Sequence, residues 1–232
     1  MASWLLVIAY ALLGVLLLRL LRFTRSGRPG WRFLSLVFLL KILAGIAYGE
    51  YHIKRFGGGD TFRFFNDSEI IFNTLKHDPI KYLKLTFGPN NRQIPKDLEP
   101  EIRQMHFWQS TPSYTIVRFH SLARLISFGY YRVHVVIMAW LSLLGLLALF
   151  RTVEKALGHN GWPLRVAVFL FPSILFYGSG LHKEALAITG LGFLLYGFSA
   201  LLENHSCGRS WFIFLFGALI IYLVREFILI AL

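Results

Sequence analysis

Residues 2–18 contain no Lys, Arg, Asp or Glu, and runs of the same kind return at 133–150, 185–202 and 211–224. At roughly 1.5 Å of rise per residue, such a run covers most of a hydrocarbon core about 30 Å thick. A backbone held in lipid must satisfy its own hydrogen bonds, so repeated runs of this length specify helices. Two further apolar stretches, 33–48 and 164–177, are interrupted by Lys41 and Pro172. The fold class that follows is all-α, a polytopic membrane bundle of about six spans. Composition agrees: 56% of residues are hydrophobic and 16% charged, against roughly 25% charged in a soluble domain.

The spans divide the chain into three parts. Residues 1–52 hold two N-terminal transmembrane helices, 53–128 form a large loop with interfacial helices, and 129–232 hold four more spans. Positive charge follows the first span, at Arg19, Arg22, Arg25, Arg28 and Arg32, and not ahead of it as in a cleavable leader. The first span therefore reads as a retained helix. The basic turn then lies inside, and the N-terminus and the large loop lie outside the cytoplasm. Arg151, Glu154 and Lys155, and later residues 203–209, form the other inner loops. The formal charge of +12 is dispersed beside these spans. That pattern fits anionic membrane lipid and argues against nucleic acid. The single cysteine, Cys207, excludes an internal disulfide.

The loop opens on Gly57, Gly58 and Gly59, a backbone able to turn sharply and approach a ligand closely, with Asp60 as the first carboxylate beyond. The plain alternative is a membrane-exit turn. Asp67 or Ser68 is expected to cap a helix carrying Ile70, Ile71, Phe72 and Leu75. Asp78 and Pro79 fit the cap and first position of a short helix after it. Pro89, Asn90, Asn91, Pro95 and Pro100 mark a connector. His106, Trp108 and Tyr114 read as interface anchors or stacking platforms. Residues 113–128, with Arg118, His120 and Arg124 among apolar positions, read as a basic amphipathic helix. Lys41 lies mid-span and should face a helix interface or a polar cavity, to support an anionic site, or else to snorkel or pair with a buried acid.

This topology puts Asp60, Asp67, His182, Lys183, Glu184, Arg225 and Glu226 near the outer boundary. A carboxylate there can accept a proton from an acceptor hydroxyl, and Lys183 and Arg225 can hold a phosphate leaving group. The same charges also suit interfacial anchors and mutual ion pairs.

Three segments in this order, GGGDTFRFFND at 57–67, FPSILFYGSGLHKEAL at 171–186 and YLVREFILIAL at 222–232, resemble the membrane-embedded GT-C glycosyltransferases of bacteria. The resemblance implies a polyprenyl-phosphate-linked sugar as donor and an acceptor at the outer face of a bacterial inner membrane. It also implies an acidic catalytic base in the large loop: Asp60 first, Asp67 second. Lys183 and Arg225 would contact the donor phosphate, with His182 and Glu184 supporting. Some members use a divalent metal, but the two aspartates do not establish one here. Such enzymes carry further helices, so the chain reads as a shortened copy, and one leading helix reads as an addition. The alternatives are a non-catalytic assembly subunit, whose protein partners the sequence does not name, and a transporter component. Nearly uncharged third and fifth spans favour a boundary site over a path through the midplane.

Overall fold

The computed structural model describes residues 2–25, 29–90, 94–158, 161–203 and 207–231. Arg28, Asn91 and the middle of the expected inner loop at 203–209 lie outside the described residues. Among the described residues there is no strand. In chain order the helices are α1 (Ala2–Leu20), α2 (Arg22–Arg25), α3 (Trp31–Phe56), α4 (Gly59–Thr74), α5 (Pro79–Phe87), α6 (Glu99–Ile102), α7 (Thr111–Ser127) and α8 (Tyr131–Leu157). There follow α9 (Trp162–Arg165), a π-helical turn (Val166–Leu170), α10 (Pro172–Tyr177), α11 (Lys183–Leu202) and α12 (Cys207–Ala231).

Five of these, α1, α3, α8, α11 and α12, are long and apolar enough to cross a membrane. The chain is an integral membrane protein with an all-α fold. The expected span at 164–177 is not a continuous helix. Pro172 has no N–H to give and crowds the preceding turn, and Phe171 is extended (φ −63°, ψ 127°), as a residue before proline prefers. The stretch becomes α9, a π turn and α10, so five long helices and one broken segment replace the six spans.

α1 and α3 run in opposite directions, as do α11 and α12, while α8 and α11 run the same way, because the broken segment between them makes the return. Arg132 lies over the Trp4 ring at 4.3 Å, which sets the start of α8 beside the start of α1. Phe33 meets Trp162 at the other end of the bundle. Lipid-facing helices gain little from burying leucine against leucine, so close backbone approach holds them together. A Cβ on Gly192 of α11 would fall 1.9 Å from the carbonyl oxygen of Gly145 on α8. Leu12, Leu43 and Leu219 turn outward, as residues facing hydrocarbon do.

Gly57, Gly58 and Gly59 all have positive φ (62°, 120° and 60°), and the chain reverses there from α3 into α4. α4 starts at Gly59, so Asp67 and Ser68 lie within a helix and cap nothing, contrary to expectation. Asp78 does cap α5, accepting from the Lys81 amide at 3.0 Å, with Pro79 at the first helical position. Trp108 and Tyr114 are not interface anchors. They are buried and meet edge to face at 4.9 Å inside the loop, where the Tyr114 hydroxyl donates to Leu85 O.

α7 does not sort basic from apolar residues as expected: Ile116 and Val117 are buried, but so are two of its basic residues. Leu122, Leu125 and Ile126 point outward, while His120 and Arg124 are buried. An apolar surround removes the usual sorting, and the buried groups must then find partners. The Arg124 guanidinium donates to Ser68 Oγ and Phe65 O of α4. His120 Nδ1 lies 2.9 Å from His134 Nδ1, and His134 Nε2 lies 2.6 Å from Ser127 Oγ. The loop core of Phe64, Ile71, Leu85 and Val117 runs on into Met138, Ala185 and Val224 of the bundle. The loop is thereby set on one end of the bundle.

Candidate functional site

The site is built on the buried turn at 178–181. A Cβ on Gly180 would meet the Tyr48 ring at 2.7 Å, and one on Gly45 would meet Ser179 O at 2.6 Å, so this turn lies directly on α3. Two donors fix it from inside the bundle: Lys41 Nζ reaches Gly178 O at 3.1 Å, and Ser142 Oγ reaches the same oxygen at 2.6 Å. Lys41 is fully buried. Among the described residues it pairs with no acid, and it caps the carbonyl end of α10, where the helix dipole is negative.

The turn delivers His182, Lys183 and Glu184 to the start of α11. His182 Nδ1 stands 3.0 Å from the Glu184 carboxylate, and the Arg225 guanidinium donates to that carboxylate from the other side. Arg225 reaches it from a break in α12, where its backbone is non-helical (φ −152°, ψ 64°). Tyr48 and Phe64 both meet the His182 ring, at 5.5 and 5.9 Å between ring centres. His182, Glu184 and Arg225 therefore come together as one cluster. Lys183 sits beside them without a hydrogen bond among the described residues, within the electrostatic reach of Arg225, Glu184 and Asp60.

Asp60 occupies the first turn of α4, where a negative charge is favoured. Its side chain is 54% exposed and forms a loose pair with Arg63 at 3.6 Å. Asp67, two turns further on, is 1% exposed. Its carboxylate accepts the backbone N–H groups of His106 and Phe107 at 2.9 and 3.0 Å and lies 3.3 Å from His106 Nδ1. Burial pushes the Asp67 carboxyl above its ordinary pKa, against the pull of these hydrogen bonds. Phe107 stacks on Phe64 at 4.4 Å, so the segment that Asp67 pins also walls the cluster around His182. Glu226 is exposed.

The two aspartates do not fit a shared divalent cation, because Asp67 Oδ2 already accepts two amides and its Oδ1 faces His106 Nδ1. Among the described residues no three His, Cys, Asp or Glu side chains form a group that could hold a metal ion.

Below the Glu184–Arg225 pair, α10, α11 and α12 enclose a groove of roughly 570 Å³. Ile174, Tyr177, Ile188, Leu191 and Ile228 make it apolar, and the two charged groups lie at its edge. It can take a hydrocarbon chain along its length and an anion at the guanidinium. Reading by sequence missed two contributors, Tyr48 and Phe64. Phe64 lies in the helix opened by the glycine turn and Tyr48 lies inside α3, and neither position carries a local signal of its partner. No known family, curated protein or solved structure matches the chain.

Proposed function

We propose that the protein is a GT-C-like membrane glycosyltransferase, moving a sugar from a polyprenyl-phosphate-linked donor to an acceptor at the outer face of a bacterial inner membrane. The observation that carries this reading is the groove: a largely apolar bed of roughly 570 Å³ whose lining includes Arg225, with Lys183 close by. In this reading the prenyl chain lies against Ile188, Leu191 and Ile228, and its phosphate displaces the Glu184 carboxylate as partner of Arg225. Asp60, exposed and within electrostatic reach of Lys183, takes the proton from the acceptor hydroxyl. The acceptor oxygen attacks the anomeric carbon as the bond to the phosphate oxygen breaks, and the two cations hold the departing charge. Asp67 serves by pinning residues 106–107.

The test is transfer of labelled sugar from a mixed lipid-linked donor pool by purified protein in lipid. Loss of a positioned base typically costs about 10²- to 10⁴-fold, so Asp60→Asn is expected to lose at least the lower figure while still folding and binding donor. Full activity in Asp60→Asn would remove it as the base, and no transfer by the natural sequence from any donor would remove the enzyme reading.

A second reading, a non-catalytic assembly subunit, is favoured by the closed Glu184–Arg225 pair, since neither group then faces a substrate. Absence of both turnover and donor binding by the natural sequence would select it.

A further inference from the structure

The end of the bundle opposite Glu184 carries a second pocket, of roughly 360 Å³, enclosed by residues of α2, α8, α11 and α12 and their flanks. Four cations line it, Arg22, Arg151, Lys155 and Arg209, against one carboxylate, Glu203. We propose that this pocket binds the phosphate of an anionic phospholipid headgroup, and that the lipid joins the α1–α2 side of the bundle to the α11–α12 side.

The arrangement goes beyond the scatter of basic residues that borders any span. Arg151 is half-buried and held by two side chains that also meet each other: its guanidinium lies over the Phe23 ring at 4.4 Å and hydrogen-bonds Tyr196, and Phe23 meets Tyr196 edge to face at 5.6 Å. Lys155 is closed on Glu203, so the single carboxylate is already matched by one of the four cations. The lining holds four cations to one carboxylate, with Glu154 also within electrostatic reach of Arg151. Arg209 makes no hydrogen bond or ion pair among the described residues. Guanidinium groups in planar forks suit a phosphate diester.

A lipid is favoured over a free anion by what borders the pocket. Leu20, Leu202 and Phe212, within two residues in sequence of the lining Arg22, Glu203 and Ser210, have 61%, 70% and 70% of their surface exposed and offer apolar surface to acyl chains. Basic pockets between transmembrane helices are where anionic headgroups bind. The packing also gives a lipid work to do. α11 and α12 touch closely at Gly197, where a Cβ would fall 2.5 Å from Phe214 N. Toward this end Arg151 and the Phe23–Tyr196 contact bridge the two sides of the bundle.

The inference is independent of glycosyl transfer and is tested without activity. Thermal unfolding of the purified chain is measured in phosphatidylcholine nanodiscs, in nanodiscs doped with phosphatidylglycerol, and in phosphatidylcholine with inorganic phosphate added. The natural sequence, Arg151→Gln and Arg209→Gln are compared. Arg209 is exposed, so that variant keeps the test open if Arg151→Gln fails to fold. Phosphatidylglycerol is expected to raise the unfolding temperature of the natural protein, with lipid affinity falling roughly fivefold per cation removed, and inorganic phosphate is expected to do nothing. An absent phosphatidylglycerol effect, or one unchanged in Arg209→Gln, would overturn the site. An equal effect from inorganic phosphate would overturn the lipid assignment.

Discussion

The Lys41 ammonium donates to the carbonyl oxygen of Gly178 at 3.1 Å, tying the middle of α3 to the end of the broken segment that presents His182 and Glu184. Ser142 donates to the same oxygen. Lys41→Met and Ser142→Ala each leave that carbonyl one partner, while the double variant leaves it none. The two losses should therefore be more than additive, with a coupling of about 1–2 kcal/mol. Unfolding midpoints of the four proteins in lipid measure it, and simple additivity would mean that the two donors do not share one acceptor.

Asp67 is expected to separate isosteric from truncating changes. Asp67→Asn keeps an acceptor for the amides of His106 and Phe107. Asp67→Ala strands them at about 1–3 kcal/mol per buried group. Calorimetry or thermal unfolding of the two variants gives the ranking.

The same residue fixes a pH dependence. Its folded pKa is raised above the ordinary 3.8, so the folded state binds the proton more readily than the unfolded one. Stability from this group is therefore full below the ordinary value and is lost as pH rises through the folded value. Relative to Asp67→Asn, the natural protein should lose ground as pH rises upward from about 3.8, then run parallel. A difference that stays constant from acid to neutral pH would contradict the raised pKa.

Gly192→Ala is expected to cost about 1–3 kcal/mol, because its Cβ would fall on the Gly145 carbonyl and α8 and α11 must part. Gly30→Ala, with nothing within 4 Å of the new carbon, should stay within about 0.5 kcal/mol. Equal midpoints for the two would show that helix contact is not set at Gly192.

Within the proposed reaction, Arg225→Gln and Asp60→Asn should fail differently. The first removes a phosphate contact, so donor binding weakens together with turnover; the second leaves donor binding and lowers the single-turnover rate. Titration with donor lipid, followed by single-turnover assays, separates them. Identical signatures would argue against distinct roles.

Several features were legible in the sequence because their causes are local. The uncharged runs name four of the five long helices, since hydrocarbon sets a length and a composition. Asp78 and Pro79 name the start of α5, and three successive glycines name the reversal into α4. Features with distant partners were not legible. Asp67 looked like a cap because its true partners, the amides of His106 and Phe107, lie 39 and 40 residues away. Trp108 and Tyr114 looked like interface anchors because their burial depends on how α5 and α7 close over them.

By itself the sequence determined that this chain is a membrane protein of apolar helices with one large polar segment, because hydropathy and turn chemistry act over a few residues. Only the tertiary structure decided which charges meet. Arg225 reaches Glu184 across 41 residues, Lys41 reaches Gly178 across 137, and α7 turns His120 and Arg124 inward. In hydrocarbon a buried charge must find a partner wherever the packing of whole helices brings one, and no local pattern records that choice.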